Sequence, residues 1–248
     1  MNEQERVLGY PLRRGAPDTE LSCSRCALNR ICLPAQLTPP EVRLLEGAVV
    51  RGRGLAAGAR LVHAGSPMRA LYVVRSGSAK ACAITGNGDE RVRGFFLPGE
   101  VVGLDAFADG RHLCQVVALE PLRYCMIPIR RLEKLMDALP SLRCEILRLL
   151  SRAIEEAQRL RLRAGFSGAR ERFADFLLDF SHRLERRGLS ATQFRLSMSR
   201  GDIAQHLGLT IETVSRILHA FTREGWLEVH QRHIKLLNLQ ALIALRGA

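Results

Sequence analysis

The segment Arg200-Gly-Asp-Ile-Ala-Gln-His-Leu-Gly-Leu-Thr-Ile-Glu-Thr-Val-Ser-Arg-Ile-Leu218 constrains this chain more than any other stretch. Two short helices meeting at a turn account for its pattern. Ala204 is small where the helices must touch, and Gly208 falls where the turn calls for a positive φ. Ile203, Leu207, Leu209, Val214 and Ile217 are apolar at the positions that pack the pair onto a domain. Thr210 is a suitable N-cap for the second helix. Residues 170–186 read as a preceding helix, and 226–230 and 233–237 alternate as two strands around Gln231-Arg232. Helices followed by a small hairpin describe a winged helix, expected over residues 169–248.

On the second helix, Glu212, Ser215 and Arg216 lie at i, i+3 and i+4 and share one face near the N-terminus. On a recognition helix that face meets base edges. A carboxylate there accepts from cytosine N4, and arginine forks onto guanine O6 and N7. Thr213 and Arg223 are expected at phosphates. Taken alone, Glu212 and Arg216 would be an ordinary surface pair; the turn in front of them makes base contact the better reading. A formal charge of +12 on 248 residues favours an acidic partner, of which double-stranded DNA is the commonest. Lys80, Lys134 and Lys235 are the only lysines among 37 basic residues, so genomic base composition contributes to that charge too. The charge supports DNA binding without establishing it.

At the other end, Cys23, Cys26 and Cys32 form a C-x2-C-x5-C run. Its loops are short enough for all three sulfurs to reach one ion or cluster. Seven cysteines is an odd number, which a disulfide framework would leave unmatched. The first 22 residues show no apolar leader, and no stretch reaches the length of a membrane span. A cytoplasmic location is expected, where thiols stay free to ligate metal as thiolates. Spacing alone fits a zinc knot and an iron–sulfur cluster equally well.

The chain is long enough for two modest domains, and 47% hydrophobic residues mark it as globular. Residues 1–40 read as an irregular cysteine-bearing segment ending at Pro39-Pro40. Residues 41–139 read as short strands, at 71–75, 78–84, 92–97 and 115–119. Eleven of the 21 glycines fall between Gly52 and Gly110, the punctuation of a small β barrel or roll. Gly86-Asn87-Gly88-Asp89 reads as a hairpin turn. Pro140 then opens a helix over 140–164, which Gly165 and Gly168 end. Ile146, Leu150, Ala153, Ala157, Leu160 and Ala164 recur along it at alternating steps of four and three, with Arg148, Arg152, Glu155, Glu156 and Arg159 beside them. That period favours a parallel dimer helix over one lying on its own domain. The fold class is α+β. The seven histidines show no metal or catalytic spacing and no Ser/His/Asp or paired-carboxylate arrangement stands out, so no enzyme is expected.

Gly201-Asp-Ile-x-x-x-Leu-Gly-Leu-Thr-x-Glu-Thr-x-Ser-Arg216 closely resembles the recognition region of the FNR (fumarate and nitrate reduction) branch of the CRP/FNR transcription regulators. Leu71-Tyr-x-x-Arg-Ser-Gly77, Gly88-Asp-Glu90, Gly99-Glu-x-Val-Gly103 and Phe194-Arg-Leu-x-Met198 look like further landmarks of that family, in order, over nearly the whole chain. The resemblance implies a cyclic-nucleotide-binding-like β-roll, a long dimerisation helix and a C-terminal winged helix-turn-helix. It implies a homodimer that reads TTGAT-N4-ATCAA-like palindromes through Glu212, Ser215 and Arg216 and activates anaerobic or microaerobic genes. It also implies an oxygen-labile 4Fe-4S cluster on Cys23, Cys26, Cys32 and one thiol of the roll, and so moves the balance from zinc to iron–sulfur. The family's fourth ligand precedes an Ile-Pro step. Tyr124-Cys125-Met126-Ile127-Pro128 fits that context, with Cys114 the runner-up. Cys82, Cys144 and by default Cys114 read as small buried residues. Leu28, Ile31 and Leu33 flank the ligands and would shield one side.

The same resemblance implies a switch. With the cluster intact, residues 23–32 are tied to Cys125 and set the packing of the dimer helix; without it the segment loosens and the dimer weakens. Gly88, Asp89 and Glu90 resemble the surface that touches the RNA polymerase sigma subunit. Relatives that bind a cyclic nucleotide place Arg-Ser or Arg-Thr after the Gly-Glu step, where this chain has Gly110-Arg-His-Leu-Cys-Gln115, so no cyclic nucleotide is expected. Oxygen-regulated relatives carry an acidic residue in the dimer helix where this chain has Ala157. Cluster-free protein is therefore expected to dimerise more readily than they do.

Overall fold

Pro39 and Pro40 do not close the N-terminal segment. They open helix α1 (Pro39–Ala48), where the N–H that proline lacks would have had no helical partner, and Glu41 caps the start by accepting from Thr38 N at 2.7 Å. The structure, a computed structural model, describes residues 22–84, 86 and 90–246. The cysteine segment lies ahead of α1 as two turns of 3-10 helix, Cys23–Arg25 and Leu33–Gln36.

Eight strands follow: β1 (Val50–Arg51), β2 (Arg60–Val62), β3 (Ala70–Ser76), β4 (Ala79–Ile84), β5 (Glu90–Phe96), β6 (Val101–Val102), β7 (Gln115–Ala118) and β8 (Arg123–Pro128). They pair antiparallel as two four-stranded sheets, in the orders β1-β8-β3-β6 and β2-β7-β4-β5. Val62, Val74, Ala81, Val102, Val116 and Leu122 fill the space between the sheets. β3, β4, β5 and β7 stand within two residues of the strands expected from sequence. β1, β2 and β6 are two or three residues long, too short to show an alternation, and sequence reading missed β8 as well. The expected hairpin turn falls mostly on residues outside those described, between β4 and β5.

Two helices come next, α2 (Ile129–Ala138) and α3 (Pro140–Phe166). Leu33, Leu45, Leu71, Val73, Ile127, Leu132, Leu142 and Ile146 bury the cysteine segment, α1, α2 and the start of α3 against the sheet of β3 and β8. Ile146, expected on the dimer seam, is therefore a core residue of its own chain at 3% exposure. Packing against the roll thus takes the first residue of the four-three repeat. Leu150 and Leu160 are half-buried, whereas Ala153 and Ala157 are exposed. The large apolar side chains that α3 leaves open are Leu147, Ile154 and Leu162, at 58%, 59% and 62% exposure. Gly165 does not stop α3, and Gly168 caps the next helix.

The C-terminal part contains α4 (Ala169–Glu185), β9 (Gln193–Arg195), α5 (Arg200–Leu207), α6 (Ile211–Arg223), β10 (Leu227–His230), β11 (His233–Leu236) and α7 (Leu239–Arg246). β9, unseen in the sequence, makes the wing a three-stranded sheet of order β10-β11-β9. Phe173, Phe176, Phe180, Phe194, Phe221 and Trp226 form a chain of ring contacts with centroids 4.9–6.2 Å apart, joining α4 to α6 and the wing. This core does not end at the domain boundary. Cys82, Val92, Phe95 and Leu97 of the roll belong to the same buried cluster.

Candidate metal centre and nucleic-acid interface

The cysteines sit at the ends of turns. Ser22 caps the turn that Cys23 opens; Cys26 closes it, and Asn29 N donates to Cys26 O at 3.0 Å. Cys32 N donates to Leu28 O at 2.9 Å, and Cys32 caps the next turn, whose Leu33 is pinned in the core at 2% exposure. Cys125 lies on β8 between two neighbours, directly opposite Arg51 on β1 and Val73 on β3.

The four thiols stand within electrostatic reach of one another. Burial pushes Cys23 up to about 11, with further upward contributions from Cys125, Glu46 and Cys26, against Arg51. Cys32 is pushed up to about 12 by burial; the Leu33 N–H opposes this, while Cys125, Cys23 and Cys26 add to it. Burial also raises Cys125, which feels Arg75 and Arg51 as favourable charges and Cys26 as an unfavourable one. Burial thus raises Cys23, Cys32 and Cys125, and Cys26 lies within reach of all three; a bound metal would favour the thiolate form of such a donor set. Arg51 and Arg75 would offset the resulting negative charge. Among the described residues no three His, Cys, Asp or Glu side chains are grouped to hold a single metal ion.

The remaining cysteines stand apart from this set. Cys114 has Asp105, Arg93 and Cys82 as its charged or ionisable neighbours. Cys82 is fully buried against the DNA-reading domain, and Cys144, expected to be buried, is exposed on α3.

The DNA reader is built from local geometry. Gly208 turns between α5 and α6 at φ 64°, letting Leu209 N reach Ala204 O at 2.8 Å. Thr210 Oγ1 accepts from Thr213 N at 3.2 Å, so Thr213 sits in the first turn of α6 beside its cap. Val214, Ile217, Leu218 and Phe221 bury one face of α6, which leaves Glu212 and Arg216 exposed and Ser215 half-exposed on the other. Arg200 Nη1 donates to Ser215 Oγ at 3.3 Å, tying the start of α5 to that outward face. The Glu212 carboxyl is held below its usual range by its own backbone N–H, the Thr210 hydroxyl and Arg216. Behind the reader, Arg170 makes a two-bond pair with Glu224 at 2.9 and 2.6 Å and lies over Phe221 and Trp226.

Sequence reading missed the contacts that join roll and reader. Glu100 of the Gly99-Glu100 step accepts from Arg183 Nη2 and Arg187 Nη2, both at 2.6 Å. Burial alone would raise the Glu100 carboxyl, but the two guanidiniums hold it below the usual range. Removing the carboxylate would strand two cations, a loss on the order of 3 kcal/mol. Lys80 Nζ meets Asp202, the residue that completes the α5 capping box, at 2.5 Å, and Ser78 bonds Ser197 at 2.7 Å. His206 meets Phe95 and Phe176 edge-to-face. The i, i+4 spacing of Arg183 and Arg187 was visible in the sequence, but nothing local identified a partner for them. Of the residues expected at a polymerase contact, Gly88 and Asp89 lie outside those described; Glu90 is exposed at the start of β5 and accepts from Gln115 Nε2 at 2.6 Å.

A ligand-sensing type of roll, a long helix and a winged helix-turn-helix in one chain define a DNA-binding transcription regulator rather than an enzyme. The Cyclic nucleotide-binding domain family matches residues 53–138, and the Crp-like helix-turn-helix domain family matches residues 171–245. The Fumarate and nitrate reduction regulatory protein of Salmonella typhi is 39% identical over 227 residues, covering 92% of this chain and 91% of its own. Its counterpart from Escherichia coli strain K12 is 38% identical over the same length and shares. The structure of FixK2 from Bradyrhizobium japonicum covers 81% of this chain and 98% of its own, with a TM-score of 0.75 and 28% identity. The chain belongs to the FNR (fumarate and nitrate reduction regulator) family of CRP/FNR transcription regulators. Among the described residues no helix is long and apolar enough to cross a membrane.

Proposed function

We propose that this chain is a cytoplasmic, oxygen-responsive regulator that binds TTGAT-N4-ATCAA-like palindromes as a homodimer when a 4Fe-4S cluster is intact, and then activates anaerobic or microaerobic genes. The observation that carries the reading is the gathering of Cys125, from the middle of a sheet, with Cys23, Cys26 and Cys32 from the segment folded over it. The name of the relatives, fumarate and nitrate reduction regulatory protein, agrees with it.

When bound, the cluster supplies oxygen-labile iron–sulfur chemistry; everything else is done by the chain. Cys23, Cys26, Cys32 and Cys125 hold it, Leu33 anchors the segment in the core, and Arg51 and Arg75 balance its charge. The choice of iron–sulfur over zinc rests on the likeness to the fumarate and nitrate reduction regulators, which covers nearly the whole chain. The exposed row of Leu147, Ile154 and Leu162, flanked by Ala153 and Ala157, supplies an apolar face for the dimer. Glu212, Ser215 and Arg216 then read bases, with Thr213 at a phosphate, and two copies of α6 reach half-sites one DNA turn apart. Gly88, Asp89 and Glu90 face the polymerase sigma subunit. No cyclic nucleotide is needed: both Glu100 oxygens are engaged by arginines of the same chain, and Arg111 donates to Gly65 O at 2.8 Å.

Gel-shift affinity for the palindrome, measured in argon and in air with iron content followed in parallel, tests this. Binding that is strong in argon and lost in air is expected. Equal binding in both, with cluster loss verified in air, overturns it. A colourless protein that retains zinc through purification supports the structural-metal alternative instead.

A further inference from the structure

Ile31 and Gly99 meet where the cysteine segment lies on the roll. A Cβ at Gly99 would stand 3.0 Å from both Ile31 Cδ1 and Cγ1, so a side chain at position 99, where φ is +90°, would push Ile31 back by a few tenths of an ångström. Ile31 precedes Cys32 in the same turn, and both their N–H groups donate to Leu28 O, at 3.0 and 2.9 Å. Gly99 is held in turn by its N–H to Val74 O at 2.8 Å.

The next residue points the other way. Glu100 takes Arg183 of α4, the helix that begins the DNA-reading domain, and Arg187 of the turn just after it, while Arg183 Nη2 also donates to Phe95 O at 2.6 Å and Arg187 Nε to Pro98 O at 2.8 Å. Leu97 N donates to Glu100 Oε2 at 3.0 Å and closes the turn, and the Leu97 side chain is buried in the reader's core. One four-residue turn therefore touches the cysteine segment through Gly99 and grips the reader through Leu97 and Glu100.

From this geometry we infer that turn 97–100 is a mechanical relay within one subunit, coupling the state of the cysteine segment to the seating of the DNA-reading domain. When residues 23–32 loosen, Ile31 leaves Gly99, the turn gains freedom, and Glu100 loses its hold on Arg183 and Arg187. The inference rests on reading 23–32 as the sensing segment and adds a route that bypasses the dimer seam. The seam route starts from the same segment, because Leu33 shares a core with Leu142 and Ile146 of α3. Glu156 of α3 lies within electrostatic reach of Arg183 and Glu100, so the two routes meet at one cluster of charges.

A double-mutant cycle on full-length protein separates them. Palindrome affinity is measured for the wild type, Ile31→Ala, Glu100→Gln and the double variant, with folding checked by thermal melting and dimer fraction by sedimentation. Either change alone breaks the same relay, so the effects should be non-additive by a factor of about three or more. Additive effects overturn the relay. Arg187→Met takes the place of Glu100→Gln if that variant fails to fold. In cluster-loaded samples Glu100→Gln should keep wild-type iron and sulfide content while its argon-to-air affinity ratio falls toward one. Full iron with an unchanged ratio also overturns the proposal. A wild type that assembles no cluster refutes the cysteine reading instead, and the cycle still decides the relay.

Discussion

Cys125 on β8 and Arg51 on β1 face each other across one antiparallel rung. A thiol in the middle of a sheet has its position set by backbone hydrogen bonds on both sides, whereas Cys23, Cys26 and Cys32 ride on short turns. The roll thus offers one fixed thiol and one fixed cation, and the N-terminal segment lies against the roll. That division fits the proposed switch, in which the segment answers to the cluster and the sheet serves as its reference frame.

Cys125→Ser should abolish cluster assembly, and Cys114→Ser should leave it intact, because Cys114 keeps company with Asp105, Arg93 and Cys82 instead. Anaerobic absorbance and iron content per chain provide the check. Retention of full iron by Cys125→Ser would remove that residue from the ligand set.

Arg216→Ala should weaken binding to the palindrome by about 1–3 kcal/mol, roughly ten- to a hundred-fold, and relax preference at a single base position. Arg223→Ala, at the position proposed to meet a phosphate, should weaken all sequences alike and flatten the salt dependence. Binding measured against a panel of single-base variants distinguishes the two patterns. Loss of affinity without altered preference in Arg216→Ala would reassign it to the backbone.

Acid should loosen the seam between roll and reader. His206 lies against Phe95 and Phe176, and burial lowers its imidazole; the Val92 carbonyl opposes this, as does Asp179, while Arg183 and Arg93 add to it. With the folded value depressed, the charged form is favoured in the unfolded chain. The penalty is absent well above the ordinary value of 6.5 and grows as pH falls through it. Thermal melting from pH 8 down to about 5.5 should show a drop in stability that His206→Gln largely removes. An identical pH profile in that variant would exclude His206 as the cause.

Ala157 is exposed on α3 and carries no charge, so cluster-free protein should retain a measurable dimer fraction at micromolar concentration. Ala157→Asp would set two like charges across the seam and should shift that protein toward monomer. Glu155 and Glu156 do not replace the missing acid. Glu155 pairs with Arg159 one turn on, and Glu156 lies near Arg183. Sedimentation velocity reads both outcomes, and clean monomers of cluster-free wild type would contradict the expectation.

The sequence by itself determined whatever depends on near neighbours. Ala204, Gly208 and Thr210 specify a helix-turn-helix because touching, turning and capping are decided within a few residues. The cysteine run brings three thiols close because the loops between them are short, and glycine punctuation announces a roll. The tertiary structure decided what depends on contacts far apart in the chain. It chose which face of α3 is spent on its own core, taking Ile146 inward and leaving Leu147, Ile154 and Leu162 outside. It set Cys125 rather than Cys114 beside the N-terminal thiols, and it joined Ile31 to Gly99 and Glu100 to Arg183. No local pattern records those pairings, because each exists only once the roll, the segment and the reader have closed on one another.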